Sequence, residues 1–285
     1  AEGRILPLLE KDIDISEFTP MANLSYDLSD DIMVYLSYSE GFKSGGFTQR
    51  VFPPIVPPFT APPGTADIDL IPTYDPEFVE VLELGFKGTF ADGRIRLNGA
   101  LFSTDYEDLQ VQVFNSVAPV TQNIGKASIE GIELELLASP GRGWLVESSV
   151  ALIDASYDEI DTSNTLIGRN NDFERVPEVT ASLGLSREMS LGDSGTLIVR
   201  GDWSYRSETF NDAYSTSLLE TESTDLLDAS ARWLSADESW TVTLSATNLT
   251  DEEYLITGVY GTAFQSFEGL FDRGRQVRFE VRRDF

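Results

Sequence analysis

The 285-residue chain has no cysteine and no histidine. Without cysteine there are no disulfides, no thiolate metal sites and no thiol nucleophile. Without histidine there is no Ser-His-Asp triad, no imidazole-bound zinc and no ordinary general base near neutral pH. Enzymatic readings therefore lose their usual parts, and no catalytic residue or cofactor is expected. Basic residues are scarce too: 20 against 48 acidic ones leave a net charge of −28, a field that repels nucleic acid and anionic lipid headgroups. No apolar run reaches the roughly 18 residues of a membrane-spanning helix. The opening "AEGRILPLLEKDID" has too short an apolar stretch, flanked by charge, to be a signal peptide.

What the chain does have is a period of two. In "VLELGFKGTF", Leu82, Leu84, Phe86, Gly88 and Phe90 share one face and Glu83, Gly85, Lys87 and Thr89 the other. After the turn "ADG", "RIRLNGALF" alternates in the same way, so the two segments predict an antiparallel hairpin. The pattern recurs in "SIEGIELELL", "TLIVRGDWSYR" and "WTVTLSATNL". Further strands are expected near 18–27, 32–42, 144–157, 176–187, 224–233 and 275–285, for about eleven in all.

Connections alternate in length. Those at 29–31, 91–93, 139–143, 188–194 and 235–239 are short and polar; those at 43–76, 114–122, 158–175, 207–223 and 250–274 are mostly long. The 43–76 loop holds eight of the thirteen prolines and is expected to be extended and unable to pair as a strand. Short turns at one end and long loops at the other match an outer-membrane barrel. A soluble extracellular β-sandwich, adhesin-like or lectin-like, also alternates, but with its apolar face inward. The charge of the polar faces favours a wet lumen, and Trp144, Trp203, Tyr205, Trp233 and Trp240 near strand ends suit aromatic girdles.

Candidate chemistry is sparse. Glu133 and Glu135, two apart on one strand face, read as lumen-facing acids rather than a catalytic pair. The glycines near Arg94 bracket a hairpin turn and lack a phosphate loop's lysine. In "DASYDEIDTSN", Asp154, Asp158, Glu159 and Asp161 crowd together without EF-hand spacing, so a solvated acidic loop is expected and no metal site is assigned. "EGFKSGGF" ends a strand, with Gly45 and Gly46 permitting a bend and Lys43 able to meet an anionic ligand. Loop aromatics Phe52, Phe59, Phe210, Tyr214, Tyr260, Phe264, Phe267 and Phe271 are the candidates for ligand capture.

The order "TPMANLSYDLSDDIMVYLSYSEGFKSGGF", "YDPEFVEVLELGFKGTFADGRIRLNGALFSTDYEDLQ", "NIGKASIEGIELEL", "NLTDEEYL" and a last strand ending in Phe285 resembles the C-terminal half of a TonB-dependent outer-membrane receptor, over residues 18–285. The resemblance implies an all-β, antiparallel barrel of about 22 strands around a plug, of which this chain holds about eleven; residues 1–17 are then a loop remnant. It implies uptake of a scarce nutrient, a ferric siderophore or other small metal chelate, across the outer membrane of a Gram-negative bacterium. The partners implied are membrane lipid and lipopolysaccharide, the plug and remaining barrel, the TonB complex and the barrel assembly machinery. Glu83, Lys87, Arg96, Glu133, Glu135, Arg200, Asp202, Arg278, Glu280 and Arg282 would then face the lumen or plug, and Phe285 would belong to the signal read during barrel assembly.

Overall fold

In the computed structural model, residues 12–48, 73–115, 118–161, 167–261 and 265–285 are described. Nineteen strands follow one another: β1 (Met21–Ser29), β2 (Ile32–Lys43), β3 (Gly46–Phe47), β4 (Thr73–Tyr74), β5 (Glu77–Phe90), β6 (Ile95–Glu107), β7 (Gln110–Asn115), β8 (Ala118–Asn123), β9 (Gly125–Gly141), β10 (Trp144–Ile160), β11 (Val179–Ser190), β12 (Thr196–Arg206), β13 (Thr209–Phe210), β14 (Glu220–Thr221), β15 (Thr224–Leu234), β16 (Trp240–Thr247), β17 (Leu255–Gly261), β18 (Ser266–Phe271) and β19 (Gln276–Arg283). Eleven of them form one sheet in the order β1-β2-β5-β6-β9-β10-β11-β12-β15-β16-β19, and every neighbouring pair in it is antiparallel.

Such a meander puts every second connection at the same end of the sheet. The connections after β1, β5, β9, β11 and β15 are the short ones; those after β2, β6, β10, β12 and β16 are long, and among the described residues those after β2, β6, β12 and β16 carry the small two-stranded hairpins. The segment 114–122, expected as a loop, falls largely in the β7–β8 hairpin, because "QVQVF" continues the alternation past the short break at Asp108 and Leu109. The ends of the proline-rich loop also pair, Gly46 with Tyr74 and Phe47 with Thr73. Its prolines from Pro53 to Pro72 lie outside the described residues, between the two paired segments.

Register builds two unlike faces. One row crosses five strands as Leu36, Leu84, Leu101, Ile132 and Leu152, each directly opposite the next. These side chains are about half exposed, and Val277, Phe279 and Val281 on β19 are half to two-thirds exposed. Among the described residues no second sheet covers them, so this face is not the inner face of a sandwich. The opposite face carries Glu83, Lys87, Arg96, Glu133, Glu135, Arg200, Asp202, Arg278, Glu280 and Arg282. The apolar face has polar limits: along β10 it runs from Trp144 at the short-turn end to Asp154 near the loop end. That stretch measures about 33 Å along the strand and about 25 Å in height at a tilt near 40°, the thickness of a barrel's lipid-facing band. Beyond it, toward the loops, the same face turns acidic with Glu40, Glu80, Asp105, Glu130 and Asp154.

Candidate functional site

Among the described residues, the buried hydrophobic cluster lies at the loop end. Leu109, Val113, Val120, Ile124, Ala127, Tyr157, Ile167 and Ala213 are buried together, with Tyr106, Phe173 and Tyr214 packed against them. Ile124 and Ile167 are within 1% of complete burial, and the Tyr157 and Phe173 rings stack at 4.4 Å. This core joins the β7–β8 hairpin to the loops after β10 and β12. A satellite core of this kind lets long connections hold a fixed shape instead of fraying.

Hydrogen bonds lock the loops to one another. Gln110 Nε2 donates to the carbonyls of Asp75 at 2.9 Å, Ser44 at 3.1 Å and Lys43 at 3.4 Å, and Asn123 Nδ2 donates to the carbonyls of Asp75 and Asp108. Both amides thereby clamp the base of the proline-rich loop. Gly45 allows the close approach: a Cβ there would stand 2.5 Å from the Tyr74 carbonyl oxygen, which no other residue type tolerates. Farther along, Asn211 Nδ2 donates to the Leu219 carbonyl and to Thr221 Oγ1, Thr221 Oγ1 donates to the Leu255 carbonyl, and Arg175 Nη2 donates to Thr257 Oγ1 at 2.6 Å. The loops after β10 and β12 and the β17–β18 hairpin are thus one tied unit. The sequence reading singled out none of Gln110, Asn123 and Asn211; their signal is an isolated amide set within an apolar or strand-like segment.

Two titratable groups in these loops are perturbed. Burial pushes the Glu174 carboxyl up, against the opposing pull of the adjacent Arg175 guanidinium. Burial, reinforced by the Asp272 carboxylate, also raises the Tyr254 phenol, whose ring carries the Arg206 guanidinium 6.0 Å from its centre.

The candidate capture residues fall into two groups. Phe210 on β13 and Tyr214 are half-buried in the tied unit, and Phe210 bridges to Glu174. Tyr260 and Phe267 are directly opposite each other on the β17–β18 hairpin, and Phe267 lies close over Gly269. Phe267 is 40% and Phe271 53% exposed, and with Ile256, Val259 and Leu270 they give this hairpin an uncovered apolar surface. Lys43 is exposed at the end of β2, opposite Glu77. Phe52, Phe59 and Phe264 lie outside the described residues.

On the charged face, Arg200 pairs with Glu147 and, through Nε, with both Asp202 oxygens at 2.9 Å. Tyr35 Oη donates to Glu83 Oε1 at 2.6 Å and its ring lies under Lys87. Asn98 Nδ2 donates to Glu135, Arg278 pairs with Glu280 and Arg282 with Asp284. The acidic stretch beginning at Asp154 is strung along β10 with alternating orientation, and among the described residues no group of three potential ligands is placed to hold a metal ion. A hollow of about 740 Å³ is lined by Leu36, Leu82, Leu84, Leu101, Ile132 and Leu152, mostly on the apolar face, with Ser103, Glu130, Asp154 and Glu178 toward its loop end.

Residues 9–249 match the family described as TonB dependent receptor-like, beta-barrel. The ferric-pyoverdine 358 receptor of Pseudomonas putida is 30% identical over 49% of this chain and 15% of its own length. The probable TonB-dependent siderophore receptor PiuA of Acinetobacter baumannii is 24% identical over 63% of this chain and 24% of its own length. Among solved structures, the ferric yersiniabactin uptake receptor FyuA from Yersinia pestis superposes with a TM-score of 0.73 at 24% identity, covering 93% of this chain and 37% of that one. The chain therefore spans between about a seventh and two fifths of the length of these proteins.

Proposed function

The chain belongs to the TonB-dependent receptor β-barrel family of the outer membrane, and from that premise we propose that it supplies about half the wall of a receptor for energy-coupled uptake of a ferric siderophore. The sheet carries this reading. One face is apolar over a bilayer's thickness, the other is charged, and all long connections gather at one end as a tied platform. A strand in hydrocarbon needs hydrogen-bonding neighbours on both sides. The outer edges of β1 and β19 have none among the described residues, which supports closure with further strands around a plug. The names of the relatives support a siderophore cargo. The β17–β18 hairpin, with Tyr260, Phe267 and Phe271, supplies an apolar aromatic surface that suits capture of a chelate at the loop end, and the charged wall suits contact with the plug. Phe285, fully exposed just beyond β19 with its ring beside the Arg283 guanidinium, suits a role in assembly.

The decisive experiment is uptake of radiolabelled iron by an iron-starved strain whose only siderophore receptor is the full protein. We expect TonB-dependent uptake with one chelate class and a several-fold loss when Phe267 and Phe271 become serine at unchanged surface level. Surface-expressed receptor that supports no uptake across hydroxamate, catecholate and mixed-ligand siderophores would overturn the cargo.

A further inference from the structure

Two strands begin, just past a short turn, with a tryptophan on the apolar face, and each tryptophan faces an arginine across the ladder. Trp144 on β10 is opposite Arg187 on β11, and Trp240 on β16 is opposite Arg283 on β19. In both pairs the guanidinium lies over the indole, 5.2 Å and 5.0 Å from the ring centre. Neither arginine has an ion pair or side-chain hydrogen bond among the described residues, although acids outnumber bases by more than two to one in the chain. The remaining cation on this face of the described strands, Lys126, is at the loop end and is neutralised by Glu107.

We propose that Arg187 and Arg283 bind the phosphate groups of glycerophospholipids at the short-turn rim, Arg187 held in place by Trp144 and Arg283 by Trp240 and by the Phe285 ring, whose centre is 4.7 Å from the guanidinium. The inference rests on the family's outer-membrane placement and not on the identity of the cargo. An arginine stacked on an indole keeps its outer N–H donors in a plane and free to grip a phosphate in bidentate fashion. Its level is right as well, because the tryptophans mark the border of the apolar band where headgroups begin. Charge complementarity then favours phosphate there, while the carboxylates at the opposite limit of the same face repel it. The two sites stand four strand spacings apart, about 19 Å, which seats two separate lipids.

Native mass spectrometry of the detergent-solubilised full receptor tests this. The protein is titrated with phosphatidylglycerol, phosphatidylethanolamine or diacylglycerol of identical acyl chains. Both phosphate-bearing lipids should form adducts at about tenfold lower concentration than diacylglycerol, and R187Q/R283Q should lose that preference while remaining a folded, heat-modifiable barrel. Equal titration of all three lipids by the wild-type receptor overturns the proposal without recourse to a variant. An unchanged preference in the folded double variant overturns it too.

Discussion

Asn248 opens the last long connection with a left-handed backbone, φ 51°, and is 5% exposed. Its side chain closes a ring of bonds: Oδ1 accepts from the Glu252 amide at 3.0 Å and Nδ2 donates to the Glu252 carbonyl at 2.8 Å, while its own amide donates to Asp228 Oδ1. N248A removes the bonds and keeps a conformation alanine disfavours, so it should cost about 2–4 kcal/mol. N248G spares the backbone and should cost about 1 kcal/mol less. Thermal unfolding of the two variants in detergent, with amide exchange at Glu252, separates the contributions; equal losses would refute the strain component. Asp237 gives a pH counterpart. Its carboxylate accepts from Ser235 Oγ and Ser239 Oγ, which hold its pKa down at about 2 from the ordinary 3.8. A depressed carboxylate stabilises its turn above the ordinary value and loses that effect as pH falls through the folded one. Amide protection at Ser239 should therefore persist at pH 4 and disappear below about pH 2, and D237N should abolish this dependence; hydrogen exchange read by NMR checks both.

Among elements, the loop core decides whether the long connections act as a platform. Ile167 is completely buried beneath loops that the eleven-stranded sheet does not need for its own pairing. I167A should cost about 2–4 kcal/mol of loop stability, seen as faster proteolytic cutting in the loops after β6, β10 and β12 with the sheet's strand spectrum unchanged. If unfolding of the sheet and loop cutting shift together, the core is not a separate unit. The sheet's strands were legible because each alternates strictly and is bounded by a turn, as in "VLELGFKGTF" and "RIRLNGALF". The loop core was not: Ile124, Ile167 and Ala213 come from separate connections without periodicity, and only tertiary packing assembles them. The same holds for the clamps, since the amide Gln110 looks like any strand residue until the carbonyls of Ser44 and Asp75 are brought beside it. Phe210 and Phe267 could be named as loop aromatics, yet nothing local told that one would be tied into the platform and the other left on a hairpin surface.

At the scale of the whole molecule the two faces of the sheet are two solvents, and neighbouring residues on one strand belong to different ones. Val150 lies on the apolar face beside Leu134, midway between Trp144 and Asp154, while Ser149 points to the charged face beside Glu135 and Ser182. Ser149 Oγ and Ser182 Oγ are 2.7 Å apart, so that face already holds polar contacts. An arginine at 150 must be taken into hydrocarbon near the bilayer midplane, which costs about 2–4 kcal/mol in a barrel. At 149 it meets water and the Glu135 carboxylate, a pairing worth no more than about 1 kcal/mol. V150R and S149R thus add the same side chain one residue apart and should diverge by at least about 2 kcal/mol, read by denaturant unfolding of the full receptor in phospholipid. The comparison controls for bulk and helical or strand propensity, because both positions sit within the same ladder. Equal destabilisation would mean that the leucine row does not face lipid, and the membrane assignment of the sheet's two sides would fall with it; a reversed order would exchange the lumen and the bilayer.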